Sequence, residues 1–245
     1  MAKTNQLVVC GLPKCANVYI ALSAAETLGC EPFVFCTRGW NFERVIPEAL
    51  WQFAGLPNAI GGTHMPAERL HLNMLHEVGI TRIAILVRDP RDACVSWLHH
   101  LNRPGVRSVP WHDGAHIAAG MISKNYREMT LPEQFADIFA RSYPAFEDWL
   151  RGWARAIDTD SRFEFHVMRY EDFIADQRRE LRRLFGFFGH HLEPVLPAIG
   201  SDRDAGVDPV THFRRGIVGT FRDEVPPDVQ KTVVLDPELA HRWQW

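Results

Sequence analysis

Three features are scarce in this chain of 245 residues: long apolar runs, paired cysteines and lysine. No apolar run approaches the roughly 18 residues that a membrane-spanning helix needs, so we predict no membrane span. The chain enters an apolar stretch by residue 7, which leaves no room for a signal peptide. The five cysteines are odd in number and none has CxxC spacing. This argues against a disulfide framework and favours a reduced, cytoplasmic location.

An excess of positive charge is also absent, since 27 basic residues face 30 acidic ones and the formal net charge is −3. Proteins that grip nucleic acid non-specifically usually present a large basic surface, so we predict no nucleic-acid partner. The 12 histidines scatter without HExxH or other paired-ligand spacing, and we predict no metal site. Apolar residues make up 46% of the chain, which is typical of a globular protein.

Apolar runs and helical spacings alternate along the chain. The predicted strands are Gln6–Leu12, Glu31–Phe35, Ile83–Val87 and Arg162–Met168, and the predicted helices are Ala16–Leu28, Asp89–Leu101 and Phe173–Phe188. This alternation predicts an α/β fold with a mostly parallel sheet. No repeat or linker divides the chain, so we predict a single domain over residues 1–245. Segments 102–130 and 200–211 lack a clear period and are predicted to be lid or binding loops.

The first chemical signal follows the first predicted strand. Gly11, Pro13 and Lys14 stand at the carboxyl end of that strand and open a helix, which predicts an anion site. Only four of the 27 basic residues are lysines, which favours a specific role for Lys14 over a solvated strand-end lysine. The loop is not of the GxxxxGK[ST] type, because Pro13 replaces the glycine before the lysine and Cys15 replaces the Mg²⁺-holding hydroxyl.

Two further segments carry phosphate-binding side chains. Arg88 ends a predicted strand and Ser96 lies on the helix that follows, so a guanidinium and a hydroxyl could meet on one phosphate. The alternative is that Arg88 and Asp89 form structural ion pairs with their neighbours. Near the C-terminus, Arg214 and Arg215 precede a glycine, which suits a loop that folds over a phosphate, although an exposed basic turn has the same pattern.

Taken together, these segments resemble the sulfotransferase family that uses 3′-phosphoadenosine 5′-phosphosulfate (PAPS). The family motif PKSGTTW stands here as Pro13–Tyr19, RDPRDxxxS is matched fully at Arg88–Ser96, and RKGxxGDWK stands as Arg214–Arg222. The elements THxP and YED, at Thr63–Pro66 and Tyr170–Asp172, fall between them in the family's order. Each motif alone is weak, but five in order, over residues 7–222, are specific.

The resemblance implies a P-loop-like α/β fold and a role for each matched residue. Lys14 would support the leaving phosphate, and His64 would act as general base on the acceptor, a task suited to a side chain that titrates near neutral pH. The implied donor-binding residues are Lys14, Cys15, Ala16, Asn17, Val18, Tyr19, Arg88, Ser96, Tyr170, Arg214, Arg215 and Gly216. Side-chain cations can neutralise the departing phosphate, so no metal is implied. A merely structural histidine is the alternative for His64.

Several positions depart from the family pattern. Cys15, Asn17 and Val18 replace hydroxyl residues that touch the donor phosphates, so donor binding would rely more on backbone N–H groups. Gly62 stands where many members have a lysine. Two other function classes therefore stay open: a small-metabolite kinase, and a non-catalytic nucleotide-binding protein on the same fold.

The acceptor is predicted to be a small molecule, with an aromatic or polycyclic one favoured by the side chains around the site. Candidate walls of its pocket are Trp40, Phe42, Trp51, Phe53, His99, His100, Trp111 and His112. The predicted acceptor or lid loops cover residues 37–55 and 102–130, and a phosphate-binding loop is predicted at residues 211–222.

Overall fold

Parallel strands form the sheet at the centre of the molecule, which the computed structural model describes over residues 5–37, 43–103, 106, 110–198 and 216–245. The strands are β1 (Asn5–Gly11), β2 (Glu31–Phe33), β3 (Asn58–Thr63), β4 (Arg82–Val87) and β5 (Glu164–Arg169). They form one five-stranded sheet in the order β2-β3-β1-β4-β5, and each strand is parallel to its neighbours. The predicted α/β fold with a parallel sheet is confirmed.

The inner strands are buried on both faces. Leu7 and Val8 of β1 are fully buried, and so are consecutive residues of β4 from Ile83 to Val87. Because successive side chains of a strand point to opposite faces, helices must cover both faces of the sheet. The edge strand β2 is short and exposes Glu31 and Pro32, both of which discourage further strand pairing.

Helices fill the segments between and after the strands. They are α1 (Asn17–Leu28), α2 (Pro47–Gly55), α3 (Arg69–Glu77), α4 (Pro90–Leu101), α5 (Pro110–Ala118), α6 (Leu131–Thr159), α7 (Tyr170–Ala175), α8 (Gln177–Phe187), α9 (Thr220–Glu224), α10 (Pro227–Thr232) and α11 (Pro237–Trp243), with a 3₁₀ helix at Tyr126–Glu128. Within the described ranges, none of these helices combines the length and the apolar character needed to cross a membrane.

The long helix α6 forms a wall of the molecule and packs against α4. It begins with a capping box, in which the Thr130 hydroxyl and backbone N–H both meet the Glu133 carboxylate. One face of α6 is buried and rich in aromatic residues, among them Phe146, Trp149 and Trp153. This face brings two indole N–H groups to the end of β3, where they contact the candidate site described below.

The described structure differs from the sequence prediction at several elements. The predicted helix Phe173–Phe188 is divided into α7 and α8 at Asp176, whose side chain caps α8 by accepting a hydrogen bond from the N–H of Arg179 at 3.0 Å. Segment 102–130, predicted to be irregular, contains α5 and the 3₁₀ helix. The strand β3 and the helix α6 were not delimited from the sequence, and the segment 200–211 lies outside the described residues.

All the strands run in one direction, so their carboxyl ends share one edge of the sheet. The loop after β1, His64 after β3, Arg88 after β4 and Tyr170 after β5 all start from this edge. The chain passes from β1 to β2 and β3 on one side, and then crosses to β4 on the other side of β1. Open α/β sheets bind ligands at such a switch point.

Candidate active site

The loop between β1 and α1 has a strained backbone. Lys14 has φ 71° and Ala16 has φ 70°, values in the left-handed region that cost a non-glycine residue about 1–3 kcal/mol and persist mainly at ligand sites. Such conformations aim successive backbone N–H groups at one point, and α1 presents its positive end there from Asn17 onward. Backbone donors, a helix N-terminus and the Lys14 ammonium together are the donor set of an anion site.

The side chains that follow Lys14 serve this loop in different ways. Cys15 is buried, and burial raises the pKa of its thiol well above the ordinary value, so the thiol stays neutral. Val18 is exposed at the start of α1. The amide of Asn17 turns toward the neighbouring strand, where its Nδ2 donates to the Thr63 carbonyl at 3.3 Å. It lies against Gly11, at which a Cβ would approach Asn17 Oδ1 to 2.1 Å, so a side chain at this position would displace the Asn17 amide.

Tyr19 is a core residue in this structure and is 2% exposed. Its hydroxyl donates to Gln177 Oε1 at 3.0 Å, and its ring packs edge-on against Phe173 with the centroids 5.7 Å apart. These contacts fix α1 against α7 and α8. The implied role of Tyr19 in donor binding stays a prediction.

The imidazole of His64 lies against the end of β1. Its Nδ1 is 2.6 Å from the carbonyl oxygen of Gly11 and 3.4 Å from Asn17 Nδ2. The carbonyl is the nearer partner and can only accept, so we assign the proton to Nδ1. The other ring nitrogen, Nε2, makes no hydrogen bond within the described part of the chain and is left as the proton acceptor. The register of β1 and β3 explains this contact, since Cys10 pairs with Thr63, one residue before each partner.

The backbone at His64 is held by side chains from two distant segments. Glu43 Oε2 accepts hydrogen bonds from the Thr63 hydroxyl at 2.7 Å and from the His64 N–H at 2.8 Å. The Trp149 indole donates to the carbonyls of His64 and Met65, both at 3.0 Å. Neither Glu43 nor Trp149 was singled out from the sequence, because no local pattern connects them to His64.

Arg88 is 4% exposed and connects two segments of the site. Its Nη1 donates to the Lys14 carbonyl at 3.0 Å, and its Nη2 donates to the Ile217 carbonyl at 3.4 Å. The guanidinium carbon lies 4.0 Å from the centroid of the Tyr170 ring, a cation–π contact. Arg88 therefore braces the loop after β1 against the C-terminal segment.

The charge of Arg88 has no carboxylate partner among the residues that the structure describes. The structural ion pairs considered above are present for Asp89, which pairs with its neighbour Arg91 at 2.6 Å, but not for Arg88 among the described residues. The Nε–H of Arg88 is buried and makes no hydrogen bond to the residues described. A buried guanidinium in this state is costly unless an anion completes it, so Arg88 is suited to an anionic ligand.

Three more of the predicted donor-binding residues, Ser96, Tyr170 and Gly216, lie within the described residues. Ser96 is half-buried on α4, with its hydroxyl free of hydrogen bonds to the described residues. Tyr170 is buried beneath the Arg88 guanidinium, and burial raises the pKa of its hydroxyl. Gly216 has φ 61° and opens the described C-terminal segment. Arg214 and Arg215 lie outside the described residues.

Asp92 anchors the C-terminal segment to α4. It is 2% exposed, and its carboxylate accepts from the N–H groups of Gly219 at 2.6 Å and Phe221 at 2.8 Å, and from the Thr220 hydroxyl at 3.3 Å. These bonds hold the segment next to the Ile217 carbonyl that Arg88 contacts. The RDPRDxxxS match contains Asp92 and was the signal that could have identified it.

The predicted acceptor-pocket walls divide into exposed and buried residues. Trp51 is 57% exposed on α2, whereas Phe53 is fully buried against Phe35 with the centroids 4.9 Å apart. His100 is buried and stacks on Trp97, so Phe53 and His100 belong to the core. The His99 Nε2 lies 2.6 Å from Glu224 Oε2. Trp40 and Phe42 are outside the described residues, and Trp111 and His112 belong to α5.

Three groups lie at the carboxyl edge of the sheet: the anion-binding loop after β1, the buried guanidinium of Arg88 and the imidazole of His64. His64 contacts the loop by its hydrogen bond to the Gly11 carbonyl, and Arg88 contacts it by its hydrogen bond to the Lys14 carbonyl. Among the described residues, no three His, Cys, Asp or Glu side chains form a group that could hold a metal ion. The arrangement can bind an anion and accept a proton beside it, which a group-transfer reaction requires.

Comparison with known proteins identifies the class. The sulfotransferase domain family matches residues 56–233, more than half of the chain, and the chain belongs to this family. The predicted family and enzyme class, a sulfotransferase, are confirmed. No curated protein sequence matches the chain.

Two solved structures share the fold. A mouse sulfotransferase complexed with PAP is 16% identical, with a TM-score of 0.57 over 99% of this chain and 85% of that one. A sulfotransferase from Alicyclobacillus acidocaldarius is also 16% identical, with a TM-score of 0.50 over 100% of this chain and 92% of that one. The P-loop-like fold is thus confirmed.

Proposed function

We propose that this chain transfers a sulfuryl group from PAPS to a hydroxyl or amine of a small-molecule acceptor. The observation that carries the proposal is the 2.6 Å hydrogen bond between His64 Nδ1 and the Gly11 carbonyl, because it seats a proton acceptor beside the anion loop. Family membership supplies the reaction class. The mouse enzyme of the same fold was solved with PAP, which supports PAPS as the donor.

The residues on the carboxyl edge of the sheet fit a donor with two separate anionic groups. In the proposal, the backbone from Cys15 to Val18 holds the 5′-phosphate, assisted by the strained loop and the start of α1. The buried Arg88, with its unsatisfied Nε–H, holds the 3′-phosphate. The other proposed contacts are Ser96, Arg214, Arg215 and Gly216 to the 3′-phosphate, and Tyr19 and Tyr170 beside the adenine.

The proposed chemistry needs charge neutralisation on one side and proton removal on the other. Lys14 and the loop N–H groups offset the negative charge that grows on the departing phosphate as the bond from sulfur to the phosphate oxygen breaks. His64 Nε2 takes the proton of the acceptor as its oxygen or nitrogen bonds to sulfur. These residues need no metal ion for either task.

The proposal also covers the chemical class of the acceptor and the cellular location of the protein. We propose an aromatic or polycyclic acceptor that binds beside His64, with the exposed Trp51 of α2 as a candidate wall of its pocket. A cytoplasmic location is supported by the five cysteines, all of which are buried free thiols.

Donor binding and transfer test the proposal separately. Calorimetry is expected to show that PAP binds in the presence of EDTA, and that ATP binds weakly both in EDTA and in a separate titration with Mg²⁺ and no EDTA. Incubation with sulfur-labelled PAPS and a panel of phenols, alcohols and amines is expected to yield a labelled product. Tight binding of Mg²⁺–ATP without a response to PAP would support the kinase. PAP binding without single-turnover transfer to any acceptor would support the non-catalytic protein.

A further inference from the structure

We infer that Glu43 is a positioning residue for His64: its carboxylate holds the end of β3 in the one orientation that leaves Nε2 of the imidazole as the base. The inference rests on the proposed function, in which His64 accepts the proton of the acceptor. Glu43 belongs to neither of the motifs that flank it in the sequence and contacts His64 across 21 residues of chain.

Glu43 holds the turn after β3 through two consecutive residues, Thr63 and His64. A single carboxylate oxygen, Oε2, accepts from the Thr63 hydroxyl at 2.7 Å and from the His64 N–H at 2.8 Å. The Thr63 hydroxyl in turn accepts from the Met65 N–H at 3.0 Å. A charged acceptor makes these bonds stronger than a neutral one would. The direction of the Thr63–His64 peptide therefore depends on Glu43.

The direction of this peptide decides which ring nitrogen faces the acceptor. With its N–H on Glu43 and its carbonyl on Trp149, the His64 backbone is held at both polar atoms. The imidazole can then reach the Gly11 carbonyl with Nδ1, which fixes the Nδ1–H tautomer. Imidazole in water favours the opposite tautomer, so losing this orientation would place a proton on the nitrogen that must accept one.

The position of Glu43 is itself built into the fold. Cys36 and Val45 form an antiparallel bridge, and the backbone N–H groups of Thr37 and Ile46 donate to the carbonyls of Arg44 and Phe35 at 2.8 and 2.9 Å. These contacts hold residues 44–46, which follow Glu43, against residues 35–37.

The thiols of Cys36 and Cys10 also lie near this carboxylate but carry no negative charge of their own. Burial and the nearby Glu43 raise the pKa of Cys36 to about 12 and hold the pKa of Cys10 well above its ordinary value. Both thiols therefore stay neutral at ordinary pH. Glu43 supplies the negative charge at this turn.

The imidazole tautomer provides a test that needs no acceptor. In long-range ¹H–¹⁵N spectra at about pH 8.5, where histidine is neutral, the His64 signals are assigned by their loss in His64→Gln. Wild type is expected to show the Nδ1–H tautomer, and Glu43→Ala is expected to shift toward Nε2–H. Glu43→Gln, which keeps an acceptor oxygen, should restore most of the Nδ1–H form. An unchanged tautomer in folded Glu43→Ala would overturn the inference.

Two further variants guard the test against a general loss of structure. Glu68→Ala removes the ion pair with Arg44, the residue after Glu43, without touching His64, and is expected to keep the wild-type tautomer. Should Glu43→Ala not fold, Thr63→Val removes one of the two donors to Glu43 and should give a partial shift. No shift in folded Thr63→Val would then count against the inference.

A double-mutant cycle separates positioning from mere stability. With sulfur-labelled PAPS and the acceptor found above, Glu43→Ala should lower kcat about 10- to 100-fold and leave PAP affinity unchanged. In the His64→Ala background, the same change should have almost no further effect. If the losses multiply, the inference fails while the proposed function stands. If His64→Ala alone keeps normal turnover, the base assignment in the proposed function fails, whatever the tautomer shows.

Discussion

The two loops that meet at the active site are held in different ways. The donor-side loop, residues 12–16, depends on its backbone: two positive φ values, a helix N-terminus, and a carbonyl bound by Arg88. The acceptor-side turn, residues 63–65, depends on side chains from elsewhere, namely Glu43, Trp149 and Trp153.

This difference explains where the chain departs from its family's motifs. In the donor loop, Cys15, Asn17 and Val18 replace hydroxyl residues, and a loop that binds through N–H groups tolerates such changes because every residue except proline supplies an N–H. The acceptor turn keeps Thr63 and His64, whose side chains make the contacts themselves. A side-chain change should therefore disturb the acceptor turn more than the donor loop.

The largest expected effect separates proton transfer from donor binding. His64→Ala should lower kcat about 10²- to 10⁴-fold with little change in PAP affinity, since it removes a general base. Lys14→Ala should weaken both PAP binding and turnover, because its ammonium serves the bound and the departing phosphate. Steady-state kinetics and calorimetry check both. Equal loss of PAP affinity in the two variants would contradict the division between an acceptor-side His64 and a donor-side Lys14.

Arg88→Ala tests whether the donor-side loop region binds the 3′-phosphate through this guanidinium. Losing this buried guanidinium should weaken PAP binding by about 2–5 kcal/mol, because the 3′-phosphate is left without its partner. AMP, which lacks that phosphate, should lose much less. Arg91→Ala is the matched control from the same motif, since Arg91 pairs with Asp89, lies over the Phe221 ring and is not among the predicted donor-binding residues. If PAP and AMP lose equally, the 3′-phosphate assignment of Arg88 is wrong.

A smaller effect is expected where the acceptor turn is held by α6. Trp149→Phe leaves the His64 carbonyl without its donor and should lower the free energy of unfolding by about 1–3 kcal/mol, with kcat reduced and PAP affinity kept. Trp153→Phe is the control, because the Met65 carbonyl keeps its bond from Trp149. Urea unfolding measures both variants. A larger cost for Trp153→Phe would contradict this account of the turn.

The smallest effect is expected in the donor loop itself. Ala16→Gly should raise the free energy of unfolding by up to about 1 kcal/mol, because glycine adopts a φ of 70° without strain. PAP affinity should stay the same, since the N–H groups are unchanged. Ala25→Gly within α1 should instead lower stability by about 1 kcal/mol. Thermal and urea unfolding compare the two, and a loss of stability in Ala16→Gly would show that the loop is not strained at this residue.

Much of the fold could be predicted because its signals are local. The apolar runs of β1 and β4 and the helical spacing of α1 and α4 need only a few neighbouring residues to be recognised. The break at Asp176 shows the limit of this approach, since an apolar periodicity continues across a residue that caps a new helix.

The candidate site was only partly predictable for a similar reason. Motifs located Lys14, His64 and Arg88, and the parallel sheet then brought them to one edge. They did not indicate that Tyr19 and Phe53 are buried, or that Asp92 binds the segment after Gly219. Those facts depend on residues far away in the chain.

The sequence by itself determined the family, the alternation of strands with helices and the three groups suited to sulfuryl transfer, because each is encoded by residue types at short spacings. Only the tertiary structure decided how those groups are oriented. The tautomer of His64 follows from a carbonyl 53 residues away, and the turn that holds it follows from Glu43 and Trp149. Hydrogen bonds are directional and short-ranged, so they form only after the sheet has brought distant segments together.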